Sequence, residues 1–339
     1  METVLWLAHT EPDGSLPKGA LEALTAARGE FAGATLIAGL VGHGLENAAR
    51  QIAGSGAARI LGVSGETFAQ SRYASDAAAA EALCRAAGAG VVVAPGTSRW
   101  LRVLPGVAFR LGGRADTHAT RISHISGVPA ISRWFYRQRM EATLTRTQRP
   151  WIILLDPGCY AKYDGAPGAA AVEAVSVAIP ETRTSAVGVQ SPKAEDQTIR
   201  PDARLLFVAG AGWTKKQGDG AAHPEEAEAL ILGFLRASQA SLGSSKSLVD
   251  LSGEGQAVLR FMTHLNQVGQ TGSTPRHPKG LSTCCHGEEP HVVGWRFVPQ
   301  RRAVNLDPNC GWARGKADVL YVADAFEVMR RVNALLERT

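Results

Sequence analysis

The stretch whose residue types and spacing best suit chemistry is Gln267-Val268-Gly269-Gln270-Thr271-Gly272, two thirds of the way along the chain. Glycines on either side of a Gln-Thr pair let the backbone approach a flat polar ligand while one amide and one hydroxyl are aimed at it. On these residues alone a cofactor loop and an ordinary polar turn are equal readings. Further back, Gly210-Ala211-Gly212 has the first two glycines of a dinucleotide fingerprint, but Lys215 stands where the third belongs. The reading is a glycine-rich strand end with Lys215 and Lys216 near enough to offset phosphate charge, beside the alternative of a glycine turn with surface lysines.

Other reactive residues fit less well. Cys284, Cys285, His286, His291 and Cys310 invite a metal reading. Adjacent cysteines reach a tetrahedral centre poorly, however, and no second ligand pair stands at the expected separation. Covalent catalysis by one of these thiols lacks a recognisable base and orienter. Ser98, Asp116 and His118 are not part of a G-x-S-x-G elbow, and Asp116-Thr117-His118 is expected in a loop closing the first domain.

The elements that must position these residues follow an alternating rhythm. Val4–Ala8, Thr35–Val41, Arg59–Val63 and Gly90–Pro95 read as strands. Helical patterns stand between and after them over Lys18–Ala32, Leu45–Ala53, Ser75–Ala87 and Trp100–Leu111. Such alternation implies parallel pairing through right-handed crossovers. Ile125–Leu155 reads as a strand-rich excursion, and Ala161–Asp202 as the domain junction, with a strand-like Glu173–Ile179 inside it. A second α/β unit opens at Leu205–Val208 and continues with a helix over Pro224–Ser241. Strands are expected near Ser247–Asp250, Val292–Phe297, Ala303–Leu306 and Val319–Ala323, before a last helix over Ala325–Glu337.

With 339 residues, two domains are the natural expectation. Apolar residues make up 45% and charged residues 20%, which suits a soluble α/β chain. The net charge of +5 is spread in short groups such as Arg137 with Arg139, so a nucleic-acid stripe is not expected. Met1-Glu2-Thr3 runs into Val4–Ala8 without a basic leader, and no apolar run is long enough to span a bilayer. Five sparse cysteines suit a reducing cytoplasm better than a disulfide framework.

Taken together, the motifs resemble the alpha subunit of electron transfer flavoproteins over essentially the whole chain. Glu11-Pro12-Asp13-Gly14-Ser15-Leu16 with Leu21–Arg28 is similar to the family's opening. Val92–Ser98, Leu104-Pro105 and Ala108–Leu111 are similar to its strand, loop and helix before a Ser-Asp segment, which here reads Ala115-Asp116. The C-terminal matches are Gln267–Gly272, Ala303-Val304-Asn305-Leu306-Asp307-Pro308 and Val322–Val328.

The resemblance implies an N-terminal parallel-sheet, nucleotide-binding-like domain over residues 1–200, its junction at 161–202 touching a beta subunit. It implies a flavodoxin/Rossmann-like, FAD-binding domain over 203–339. Carried over by position, Gln267, Gly269, Gln270, Thr271 and Gly272 form the flavin loop, with Thr271 on the N5/O4 edge. His291 approaches the O2 side beyond His286 and Gly287, while Asn305 and Asp324 hold the adenosine end. Lys246 occupies the place of an arginine lying over the ring, keeping its charge but not its planar fork. The family's Gly-Gly-Arg-Gly becomes Gly210-Ala211-Gly212-Trp213, and its Ser-Gly-Ala-Ile-Gln-His becomes His286–His291 with Glu288 and Glu289 added.

The function expected from the resemblance is a cytoplasmic electron carrier with no substrate turnover of its own. It would be paired with a beta subunit, take electrons from a dedicated dehydrogenase and pass them to a membrane quinone oxidoreductase. The alternatives are a non-redox assembly subunit with a drifted cofactor site and a metal-binding variant using Cys284, Cys285, His286 or Cys310.

Overall fold

The computed structural model describes residues 2–135, 140–179, 181, 184–188, 199–200, 202–250, 258–269, 273, 275–283, 298–310, 313 and 317–338. The chain divides into two compact units, Met1–Val189 and Gln190–Thr339.

In the first unit the strands are β1 (Thr3–His9), β2 (Thr35–Gly42), β3 (Arg59–Ser64), β4 (Val91–Pro95), β5 (Arg114–Ile125), β6 (Val128–Phe135), β7 (Met140–Thr145), β8 (Trp151–Leu155) and β9 (Glu173–Ala174). They form one sheet in the order β7-β6-β5-β8-β4-β1-β2-β3-β9. Among the described residues only the β5–β6 and β6–β7 pairs are antiparallel. The inner strands are apolar throughout because both faces are covered. Val4, Trp6 and Ala8 of β1 join the core under α1 (Lys18–Glu30) and α2 (Leu45–Gln51). Leu5 and Leu7 point the other way, into the core under α4 (Tyr73–Ala87) and α5 (Ser98–Arg110). A short α3 (Glu66–Ala69) precedes α4. At the start of α5 the Thr97 hydroxyl accepts the Trp100 N–H, the expected role of an N-cap threonine.

The excursion begins earlier than the sequence pattern suggests. Asp116 and His118 lie inside β5, not in a loop. A polar residue can occupy this interior strand position because its charge is met: Asp116 accepts two hydrogen bonds from Arg146 and one from the Trp151 indole, each at 2.9 Å.

The second unit holds β10 (Leu205–Ala209), β11 (Ser241–Ser244), β12 (Lys279–Thr283), β13 (Gln300–Asn305) and β14 (Val319–Val322). Its order is β11-β10-β12-β13-β14, every pair parallel. Counted within the unit this is 2-1-3-4-5, the flavodoxin-like doubly wound order. Among the described residues its helices include α6 (Pro224–Ser238), α7 (Lys246–Asp250) and α8 (Ala325–Leu336). Phe234 and Leu235 of α6 and Phe326 and Met329 of α8 cover one face, meeting Phe207 and Leu242 of the sheet. On the other face Leu206, Val208 and Ala303 pack with Val268, Val298 and Cys310.

Two expectations fail here. Residues 247–250 belong to α7, and the strand lies earlier, at Ser241–Ser244, where the expected long helix has already ended. The cause is local: the Ser245 hydroxyl accepts the Leu248 N–H and caps a helical turn, overriding the apolar Leu248-Val249 pair. The sequence pattern does not mark β12, because Lys279-Gly280-Leu281-Ser282-Thr283 is short and mixed in polarity. The expected strand Val292–Phe297 lies outside the described residues.

Candidate functional site

In an open parallel sheet the strand order reverses where connections leave in opposite directions, and a crevice opens there outside the carboxyl ends of the strands. In the second unit that point lies between β10 and β12. After Ala209 the backbone turns through Gly210 into a short 3-10 turn, Ala211–Thr214. Gly210 donates its N–H to the Thr283 carbonyl at 2.9 Å, and the buried Trp213 indole donates to the Thr283 hydroxyl at 2.9 Å. The glycine loop is thus tied to the end of β12, with Lys215 and Lys216 exposed just beyond it.

At the end of β11 the neighbouring chain runs unusually close. A Cβ on Gly243 would sit 2.6 Å from Val268, so glycine is required for the segment carrying Gln267 to lie against this strand. The Val268 N–H donates to the Ser244 carbonyl at 3.0 Å. Upstream, Thr263 and Asn266 form a reciprocal capping box that fixes the approach. Gln267 is buried, its side-chain amide reaching the Gly269 carbonyl at 3.4 Å. Gly269 takes φ +83°, a left-handed value that favours glycine, and donates to the Ser273 carbonyl at 2.8 Å. Ser273 donates back to the Gln267 carbonyl at 2.8 Å.

Lys246 opens α7, directly after β11. Its ammonium pairs with Asp250 at 2.5 Å, and the other Asp250 oxygen meets His264 Nε2 at 2.9 Å. Hydrogen bonds from Lys246 and then His264 hold the Asp250 carboxyl below the usual range. Asn305 is the last residue of β13 and only 2% exposed. Its side-chain carbonyl accepts the Asp307 N–H at 2.9 Å, while its Nδ2 has no hydrogen-bond partner among the described residues. Asp324 follows β14, and its carboxylate accepts the Glu327 N–H at 2.9 Å as the cap of α8.

Every expected site residue that is described therefore sits at the carboxyl edge of one sheet: Lys246, Gln267 and Gly269 beside β11, Asn305 on β13, Asp324 after β14. Gln270, Thr271, Gly272, His286, Gly287 and His291 lie outside the described residues. So do Cys284 and Cys285; Cys310 is buried. Among the described residues no three of His, Cys, Asp and Glu gather as a metal would require. Asp250 and His264 do not stand out in the sequence, although a lysine and an aspartate four residues apart are a helix-pair signal, because the apolar Leu248-Val249 pair reads as strand.

The two units, one mostly parallel sheet covered on both faces and one fully parallel sheet of flavodoxin order, define an α/β protein built of two Rossmann-like domains. Residues 4–181 match the electron transfer flavoprotein domain, more than half of the chain, and the chain belongs to that family. Members of this family are flavoproteins that carry electrons and work with dehydrogenases and with other subunits of the family. Curated proteins contain no match to the chain. No helix among the described residues is long and apolar enough to cross a membrane.

Proposed function

We propose that the chain is the alpha-type subunit of a cytoplasmic electron transfer flavoprotein, binding FAD at the carboxyl edge of the second sheet. In this reading residues 1–200 and 203–339 are its two domains, joined through 161–202, and the first contacts a beta subunit. A dedicated dehydrogenase supplies the electrons and a membrane quinone oxidoreductase takes them. Bound FAD would supply the redox chemistry.

The observation that carries this reading is Asn305. A buried amide N–H without a partner costs about 1–3 kcal/mol, a cost removed when a ligand acceptor meets it. The orphan stands at the end of a strand near the switch point, where such sheets bind ligands. Gly210 and Gly212 carry no side chain to hinder a ligand's approach to this backbone, and the exposed Lys215 and Lys216 can offset phosphate charge. Lys246 provides a cation, and a cation beside the ring favours the negative charge that builds on reduction. No acid-base pair is needed on this chain.

A second reading, a non-redox assembly subunit with a drifted cofactor site, draws on the family match ending at residue 181, before the second unit begins. One measurement separates the two. The complex co-expressed with its beta partner should be yellow and release one FAD per alpha chain on denaturation; a folded, colourless complex releasing none contradicts the proposal.

A further inference from the structure

Helix α5 of the first unit has two unlike faces. Its inner face is apolar and buried, with Trp100, Val103, Leu104 and Val107 in the core. Outward, Arg102, Pro105, Gly106 and Phe109 follow at helical spacing along one stripe. Phe109 is 85% exposed, more than any other aromatic residue among those described. A single exposed ring is ordinary, but this one belongs to a built surface. Gly106 leaves a gap in the stripe that Tyr73, the first residue of α4, fills: a Cβ on Gly106 would collide with the tyrosine hydroxyl. Arg110 lies over the Tyr73 ring, 5.7 Å from its centroid, and donates to the hydroxyl at 3.5 Å. Arg102 donates to the Ser71 hydroxyl. Two aromatic rings thus share a face with two guanidinium groups already held in place, the composition of an interface hot spot.

The charge of the face selects its partner. α5 has no acidic residue, and the charged side chains that α4 and α5 turn to solvent are Arg85, Arg102 and Arg110 against Glu81 alone. Glu81 meets Arg85 at 2.9 Å and Arg110 at 3.7 Å, which leaves the face net positive. A second copy of the chain would set like charges against each other. An anionic membrane would gain one phenylalanine, far less apolar surface than the single acyl chain that by itself anchors only marginally. We infer that this face docks an acidic protein, whose carboxylates meet Arg102 and Arg110 around an apolar pocket that receives Phe109.

The test uses the full chain in its native host, with a photoreactive group installed as Phe109→benzoylphenylalanine. The control is Glu46→benzoylphenylalanine, at an exposed position of α2 on the opposite face of the sheet. Expected on irradiation is an adduct with an acidic protein from position 109 and none from position 46. The affinity of the purified pair is then measured. Phe109→Ala should weaken it about tenfold or more, and so should the double charge reversal Arg102→Glu with Arg110→Glu. Affinity should also fall as salt rises from about 50 to about 500 mM.

No adduct from position 109, the same adduct from position 46, or a basic protein in the adduct overturns the inference. A purified pair indifferent to the charge reversal or to Phe109→Ala does the same. So does binding of the wild-type chain, but not of Phe109→Ala, to vesicles of phosphatidylglycerol and phosphatidylcholine, which would make the face a membrane contact.

Discussion

The Trp213 indole N–H lies 2.9 Å from the Thr283 hydroxyl, joining the loop after β10 to the last residue of β12 across the switch point. Both residues are buried, and the same hydroxyl reaches the Val208 carbonyl at 3.5 Å. This bond ties the loop after β10 to the end of β12. Trp213→Phe keeps most of the packing against Phe326, 4.6 Å away, and removes only the donor. It should cost about 1–3 kcal/mol in urea unfolding of the second unit and loosen flavin retention. An unchanged midpoint and unchanged retention would separate the bond from both roles.

Asn305→Asp isolates the orphaned donor. The variant still accepts the Asp307 N–H but offers a carboxylate oxygen where Nδ2 stood. Loss of one buried hydrogen bond to a ligand predicts FAD binding weaker by about 10- to 100-fold. Equilibrium fluorescence titration checks this, and equal affinity for both proteins counts against Asn305 as a ligand.

His9, at the end of β1, has its Nδ1 3.4 Å from the Thr10 carbonyl and its Nε2 3.3 Å from the Thr97 hydroxyl, against Trp100. Burial, followed by the nearby Arg99 charge, pushes its pKa down to about 4. The fold therefore holds the neutral ring, while the unfolded chain takes up a proton below about pH 6.5. Stability should fall as pH drops from about 6.5 to 4, by about 3 kcal/mol at most, and level off below. His9→Gln should flatten that part of the pH profile. Matching profiles for the two proteins would contradict this account of His9.

Asp116 behaves in the opposite sense. Burial pushes its carboxyl up, but hydrogen bonds from Arg146 and Trp151 and the charges of Arg146 and Arg133 outweigh it and leave the group below its ordinary range. Its stabilising contribution is complete above about pH 4 and lost as pH falls through the lower folded value. Asp116→Ala leaves the Trp151 indole and Arg146 without their acceptor and should cost about 2–4 kcal/mol at pH 7. Calorimetry of the variant measures it, and a cost below about 0.5 kcal/mol would show that this network is not structural.

The parts of the fold legible in the sequence are those where burial on both faces leaves a continuous apolar run. Val4–Ala8 and Val91–Ala94 are of this kind, as are the helices whose apolar face repeats around Leu21, Leu24 and Ala27. β12 was hidden because Ser282 and Thr283 point into a buried interior that tolerates them, Thr283 being held by Trp213. The strand position of Asp116 was hidden because its partners Arg146 and Trp151 are thirty or more residues away. At the candidate site the motif residues were readable one by one. Their meeting along one sheet edge depends on strand order, which no local pattern encodes, and the Lys246–Asp250–His264 cluster depends on a cap at Ser245 that an apolar pair disguised.

Hydrogen exchange of the full chain with and without FAD tests most directly whether the second sheet holds the flavin. The account predicts protection on binding concentrated at residues 209–214, 244–250, 267–269 and 303–307. Protection confined to the first unit, around residues 9–11 and 95–99, or none on either unit, would contradict it.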